Sequence, residues 1–333
     1  MTQPRFDVLC IGNAIVDVIA DADDAFLDAQ GLTKGSMRLI DEAEAERLYG
    51  VMGPGRELSG GSAGNTAAGL AALGCRTGFI GQVADDQLGA IYRHDIQSQG
   101  IDFLVEPRGD IGATARSLIL VTPDAQRTMN TFLGAAQLLS ADAIDHSAVK
   151  DAAILYLEGY LWDPEGPRAA MEAAIVDAKQ AGRKVALTLS DTFVVDRHGP
   201  DFLRLLDEGK IDILFANAAE LASITGEPDH DAGLGKLAPR VPLLVVTHGD
   251  QGATALQGGE QATVAAEPIE RLVDTTGAGD LFAAGFLAGQ ARGLGLEASL
   301  RLGAIAAAEV IQHYGARPEA DLKALASGLL QPA

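Results

Sequence analysis

Apolar and polar positions follow one rhythm up to about residue 132 and another beyond residue 150. Residues 6–20 (FDVLCIGNAIVDVIA) read as a strand, a Gly-Asn break and a second strand. Between 21 and 58 the pattern is mixed and polar, broken by Gly31, Gly35, Gly53, Pro54 and Gly55. A small-residue helix is predicted at about 63–73 (AGNTAAGLAAL), then a strand at 77–83 and a helix at about 86–98. From 101 to 132 the apolar residues tend to alternate, as in SLILV at 117–121. Short strands with no helix between them predict a small sheet set apart from the main body.

Past residue 150, apolar runs at 153–161, 184–190, 211–216 and 243–248 alternate with helical stretches near 164–181, 200–208 and 218–225. That alternation predicts a parallel, doubly wound sheet covered by helices. A hairpin turning at Gly258-Gly259 is expected at 253–266, and three helices near 277–291, 297–313 and 318–328 close the chain. The fold expected is a three-layer α/β domain with a small accessory sheet from its N-terminal third.

Composition narrows the chemistry. The 333 residues are 47% hydrophobic and 21% charged, enough for a large core. The net charge of −21 repels nucleic-acid backbones and anionic membranes, so neither is an expected partner. Cys10 and Cys75 show no metal-ligand spacing and read as reduced thiols. The N-terminus carries no signal-peptide pattern, and no apolar run approaches the roughly 18 residues of a membrane span. A cytoplasmic protein is expected.

The strongest local signal is Asp274-Thr275-Thr276-Gly277-Ala278-Gly279-Asp280, followed by the helical run LFAAGFLAG. Gly277 and Gly279 let the backbone fold tightly, and the N–H groups of the first helical turn converge on an anion hole strengthened by the helix dipole. Asp280 beside it suits a base that takes a proton from an attacking hydroxyl. A Gly-rich N-cap with an acidic first turn is the plain alternative. Gly60-Gly61-Ser62-Ala63-Gly64-Asn65 opens another helix, where ligand and backbone can approach closely. The same residues fit G-x-S-x-G, but a nucleophile elbow needs a strand before Ser62, and GPGRELS at 53–59 does not read as one.

Three weaker signals remain. Asp17 lies in an apolar strand beyond Gly12-Asn13; it either meets a hydroxyl-rich ligand or sits exposed at an edge. Asn217 and Glu220, at i and i+3, either reach a hydrated Mg²⁺ or form a capping box. Thr247-His248-Gly249-Asp250-Gln251-Gly252 follows a buried strand, the place for a nucleotide at a sheet's carboxyl edge or for a plain hairpin start. A P-loop, protein-kinase motifs and an N-terminal GxGxxG are all absent, and the six histidines show no ligand spacing.

Together these segments resemble the PfkB (ribokinase-like) family of small-molecule kinases along nearly the whole chain. GGSAGN with AAGLAALG is similar to the family's N-terminal signature, and VDTTGAGDLFAAGFLAG to its C-terminal one. GNAIVD at 12–17, QRTMNTFLGAA around Arg127 and TLSDTFVVDRH at 188–198 look more like the adenosine kinase branch. The resemblance implies a ribokinase-like αβα sandwich with a mostly parallel sheet and a β lid from about 13–20, 33–40 and 101–132. It makes Asp280 the base, with Gly277, Ala278 and Gly279 as anion hole and Arg127 over the phosphates. Asn13, Asp17, Gly61, Ser62 and Asn65 would hold substrate hydroxyls. Asn217 and Glu220 would organise Mg²⁺ through water. Thr247, Gly249, Gly252, Thr276 and His313 would border ATP, and a K⁺ site is typical near Asp274 and Thr276.

The implied activity is ATP- and Mg²⁺-dependent phosphorylation of a primary hydroxyl on a ribonucleoside, adenosine to AMP being favoured. A sugar or ketosugar-acid kinase is the alternative, and a catalytically silent nucleoside-binding regulator the reading from another class. Tyr160 and Trp162 are the aromatic candidates near a base; Arg38, Arg116 and Arg127 are the cations a phosphosugar would need. Monomer and homodimer stay equally open.

Overall fold

The computed structural model describes residues 3–330 apart from Ala125. Strand β1 (Phe6–Ile11), apolar on both faces, starts the central sheet, and β2 (Ile15–Asp21) leaves it for a second one. Helix α1 (Asp24–Ala29), β3 (Met37–Leu39), α2 (Glu42–Val51) and β4 (Arg56–Gly60) fill the stretch of mixed polarity. The two helices start where Asp23 and Asp41 accept from Phe26 N–H and Glu44 N–H. Next come α3 (Ser62–Ala72), β5 (Thr77–Ile80), α4 (Gln87–Ser98), β6 (Asp102–Phe103), β7 (Ala115–Val121) and β8 (Arg127–Phe132). After α5 (His146–Lys150), strands β9 (Ala152–Glu158), β10 (Lys184–Thr188), β11 (Ile213–Asn217) and β12 (Leu243–Thr247) alternate with α6 (Glu165–Gln180), α7 (Thr192–Asp207), α8 (Ala218–Thr225) and α9 (His230–Leu237). The hairpin β13 (Ala253–Gln257) and β14 (Glu260–Val264) turns at Gly258-Gly259. Helices α10 (Ala278–Ala291), α11 (Leu296–Val310), α12 (Leu322–Leu325) and α13 (Ser327–Leu330) follow.

The central sheet runs β14-β13-β12-β11-β10-β9-β1-β5-β6. All its pairings are parallel except those of the β13–β14 hairpin edge. Helices on both sides make it the expected three-layer sandwich. From β1 the sheet grows one way through β5 and the other way through β9, so the strand order reverses between β1 and β9. Ligands of open α/β sheets bind outside the carboxyl ends of strands at such a switch point. Asn13 follows β1 there, and Glu158 ends β9.

The second sheet has the order β3-β8-β7-β2-β4. Four stretches depart from expectation. Strand β6, inside 101–132, pairs with β5 in the central sheet instead of joining the second one. Residues 56–60, read as irregular, form β4 against β2. The Gly53-Pro54-Gly55 turn hides how short a segment an edge strand needs. Helix α7 also begins well before 200, because the Asp191 side chain caps it by accepting from Phe193 N–H, and Pro200 is carried inside. Helix α9 had no sequence counterpart.

Small residues bring the site-bearing helices together. A Cβ on Gly69 of α3 would lie 2.6 Å from a Leu281 methyl and 2.7 Å from Ala284 Cβ on α10. A Cβ on Gly285 would lie 2.3 Å from the Leu302 carbonyl oxygen of α11, where backbone cannot step aside. Gly285→Ala is therefore expected to cost about 1–3 kcal/mol through overpacking. Gly235→Ala on α9, which meets nothing within 4 Å, should be neutral or slightly stabilising. Urea unfolding midpoints of the two variants test this; equal midpoints would contradict the close packing of α10 on α11.

Candidate functional site

A cavity of about 530 Å³ opens over the carboxyl edge of the central sheet, roofed by the second sheet. Asn13, Glu158, Thr188, Asn217 and Thr247 reach it from the ends of β1, β9, β10, β11 and β12. The second sheet contributes one face: Asp17, Ser117, Thr131 and Leu39 are aligned across β2, β7, β8 and β3 and all line the cavity. Met37, Met129 and Leu133 add apolar surface beside them.

Two helix starts form the floor. Gly277 caps α10 at φ +79°, and a Cβ there would lie 2.5 Å from Ala316 Cβ, whereas Gly279 faces open space. Gly61 precedes α3 at φ +82°, with its would-be Cβ 2.2 Å from the Asn13 carbonyl oxygen. Both turns need glycine. Ser62 Oγ donates to Asp280 Oδ1 at 2.6 Å, and Asn65 Nδ2 donates to Oδ2 at 2.9 Å. Asn65 Oδ1 is buried without a partner among the described residues. Burial raises the proton affinity of Asp280, while Ser62, Asn65 and then Arg317 oppose that.

Glu158 is the residue that sequence reading missed most. Its Oε1 accepts from Asn13 N–H at 2.7 Å and Asn13 Nδ2 at 2.6 Å, and its Oε2 accepts from Ala63 N–H at 2.7 Å. It thereby ties the turn after β1 to the start of α3. Burial pushes its carboxyl up to about 7 despite those donors. Burial also lifts Asp17 to about 6, with Arg317 and then Arg127 pulling down. No group donates a hydrogen bond to Asp17 among the described residues, and it faces the cavity. Ser190, the single non-glycine residue at positive φ (+71°) among the described residues, accepts from Gly159 N–H at 2.8 Å beside Tyr160. Its chemistry leaves no trace in a local motif.

The other candidates divide between the cavity and its surroundings. Arg127 Nη1 pairs with Asp274 Oδ2 at 2.7 Å and donates to Thr276 Oγ1 at 2.9 Å, outside the cavity lining. Gly249 and Gly252 shape the turn after Thr247 but do not line the cavity. His313 bonds Glu309 at 3.1 Å and lines a different recess, along α11. Tyr160 reaches the cavity, packed on Phe193 at 5.9 Å, while Trp162 is buried against Phe202. Arg38 bonds Asn130 and Glu44, and Arg116 lies over Tyr49. A strand does precede Ser62, yet no histidine lines the cavity to activate it, and its hydroxyl is committed to Asp280.

Asn217 and Glu220 form a full capping box: Asn217 Oδ1 accepts from Glu220 N–H, and Glu220 accepts from Asn217 N–H at 3.0 Å and Nδ2 at 2.7 Å. Burial raises Glu220 to about 7. No group of three His, Cys, Asp or Glu among the described residues is placed to hold a metal ion directly. The lining as a whole contains six carboxylates (Asp17, Glu158, Asp163, Asp191, Glu220 and Asp280) and no lysine, arginine or histidine. Among the described residues, no helix is long and apolar enough to cross a membrane.

The folded state binds the Glu158 proton more tightly than the unfolded chain, whose carboxyl titrates near 4.5. This group's contribution to stability is thus full below about 4.5 and is lost as pH rises through about 7. Compared with Glu158→Gln, which has no such proton, the wild type should lose ground in urea midpoint between pH 5 and pH 8. A gap between the two proteins that stays constant with pH would count against a buried, proton-holding Glu158.

Comparison with known proteins places this geometry. The profile that matches residues 6–322 is described as pfkB family carbohydrate kinase. A probable sugar kinase from Rhizobium etli superposes with a TM-score of 0.92 at 47% identity, over 98% of this chain and 100% of its own. Adenosine kinase from Sinorhizobium meliloti superposes at 0.90, again 47% identical, over 97% and 99%. Adenosine kinase from Saccharomyces cerevisiae is 27% identical over 336 residues, covering 95% of this chain and 96% of its own.

Proposed function

The chain belongs to the pfkB family of carbohydrate kinases, and on that premise we propose that it transfers the γ-phosphoryl group of ATP to the primary hydroxyl of adenosine. The observation that carries the reading is the Asp280 carboxylate at the cavity floor, aimed by Ser62 at 2.6 Å and Asn65 at 2.9 Å. As the hydroxyl oxygen attacks phosphorus, its proton passes to Asp280 and the bond to the β-phosphate bridging oxygen breaks, leaving ADP. A desolvated carboxylate with raised proton affinity suits that transfer. The free N–H groups at the start of α10 would meet the phosphoryl oxygens. Asn13 and Asp17 would hold the ribose hydroxyls, Asp17 accepting from a neutral ligand what no protein group supplies.

Mg²⁺ would supply the positive charge that this lining lacks. Both Glu220 oxygens already serve the capping box, so Asn217 and Glu220 fit an ion held mainly by phosphates and reached through water. We assign no potassium to Asp274, whose carboxylate already accepts from Thr276 and Gly315 and pairs with Arg127. Arg127 would turn from Asp274 toward phosphate, a reading supported by its Nε and Nη2, which have no partner among the described residues.

The substrate choice rests on charge and surface. A cavity without a cation disfavours an acceptor that already bears phosphate, so the acceptor is neutral. Met37, Leu39, Met129 and Leu133, with the Tyr160–Phe193 pair, give a base an apolar wall, and the Sinorhizobium adenosine kinase shares 47% identity. A neutral sugar is the second reading, favoured by the polar lining groups Asn13, Asp17 and Asn65. ADP release with MgATP should be strong on adenosine and negligible on fructose 6-phosphate. Asp280→Asn should fold normally and lose about three or more orders of magnitude in kcat. Turnover by that variant, or preference for a phosphorylated acceptor, would refute the assignment.

A further inference from the structure

Behind the groups that face the cavity runs a three-residue strap, Gly315-Ala316-Arg317, in the segment that leaves α11. Gly315 N–H donates to Asp274 Oδ2 at 3.1 Å, and Ala316 packs so closely on Gly277 that no Cβ fits between them. Both contacts lie at the start of α10. Arg317 reaches the other helix start. Its Nε donates to the Ser59 carbonyl at 2.9 Å, its Nη2 to the same carbonyl at 2.7 Å and to Ser59 Oγ at 2.9 Å. Its Nη1 donates to the Gly64 carbonyl in the first turn of α3. Ser59 gives its N–H and hydroxyl in turn to Asp95. One planar fork therefore spans the junction where β4 passes into α3 through Gly60 and Gly61, a task for guanidinium geometry more than for an ammonium.

Among the described residues Arg317 forms no direct ion pair. Its charge acts at a distance on Asp17, Asp95 and Asp280.

We infer that Arg317 is a positioning residue: it locks the start of α3 against the start of α10, keeping Ser62 and Asn65 on Asp280, and holds a positive charge behind that carboxylate. The inference rests on the reading of Asp280 as the base. The groups facing Asp280 are Ser62 and Asn65 from α3, Asp17 from β2, Tyr156 and Glu158 from β9, Tyr160 just beyond β9, and Arg317. Of these only Arg317 is cationic. Without it, the neighbouring carboxylates make ionised Asp280 harder to sustain, and the base is lost at a higher pH.

The test is the pH dependence of kcat/KM for Arg317→Met and Arg317→Lys, beside Asp280→Asn, with hydrogen exchange at residues 59–66. Arg317→Met should lower kcat roughly tenfold or more, move the acid limb of the profile to higher pH and speed exchange at the β4–α3 junction. Arg317→Lys keeps the charge and should leave the acid limb near that of the wild type while still lowering kcat. A merely structural arginine would reduce the active fraction without moving the limb. A folded Arg317→Met with wild-type kcat and acid limb overturns the inference. Should Arg317→Met not fold, Arg317→Lys decides: kcat lowered per folded molecule, with faster exchange at residues 59–66, supports the inference, and wild-type kcat with wild-type exchange overturns it. Activity retained in Asp280→Asn would instead overturn the underlying reading, whatever the Arg317 variants do.

Discussion

Three carboxylates, Asp17, Glu158 and Asp280, meet at the point where the central sheet reverses its strand order, and burial raises the proton affinity of each. Burying charge is tolerable only with partners. Much of the local structure reads as the supply of those partners. The start of α3 is pulled two ways: Glu158 takes the Ala63 N–H, and Asp280 takes the Ser62 and Asn65 side chains. The glycines at 61 and 277 let both helices begin close enough for this, and Gly69 and Gly285 let α10 pack between α3 and α11. Asp17 alone receives no protein donor among the described residues.

That imbalance gives the cavity its chemical character. A lining of carboxylates repels anionic acceptors and favours neutral, hydroxyl-bearing ones. On the proposed reading, polyphosphate would be admitted only with charge compensation, from the N–H groups of α10, a divalent cation and Arg127 turned from Asp274. The same acidity extends across the chain, whose net charge is −21. Positive charge near the reacting centre is accordingly supplied from behind, by Arg317, and from the Asp274 side, by Arg127.

Sequence carried the parts of this that glycine spacing and strand rhythm encode. The DTTGAGD and GGSAGN turns announce themselves because each needs residues without a Cβ, and the β-α alternation after residue 150 is long and regular. Asn217 and Glu220 were ambiguous between cap and ion, and the capping box is real without excluding water-mediated contact to a metal. Glu158 stayed hidden at the end of an apolar strand, its partner Asn13 lying 145 positions away. Arg317 is hidden likewise, 258 positions from Ser59. Both are long-range choices that no local pattern records. His313, which the resemblance sets beside ATP, bonds Glu309 one helical turn earlier and lines a recess along α11. Strand β4 and the first half of α7 were masked by Pro54 and Pro200, whose breaking tendency the edge position of β4 and the Asp191 cap overrode.

Catalysis by Asp280 requires that the acceptor hydroxyl face it when the cavity is filled. A crystal structure with adenosine and a non-hydrolysable ATP analogue measures that directly. The 5′-hydroxyl oxygen is expected within about 3.2 Å of an Asp280 carboxylate oxygen, with the ribose diol on Asp17 and the base against Met37, Leu39 and Met129. A 5′-hydroxyl held away from Asp280, with the carboxylate still closed on Ser62 and Asn65, would contradict it.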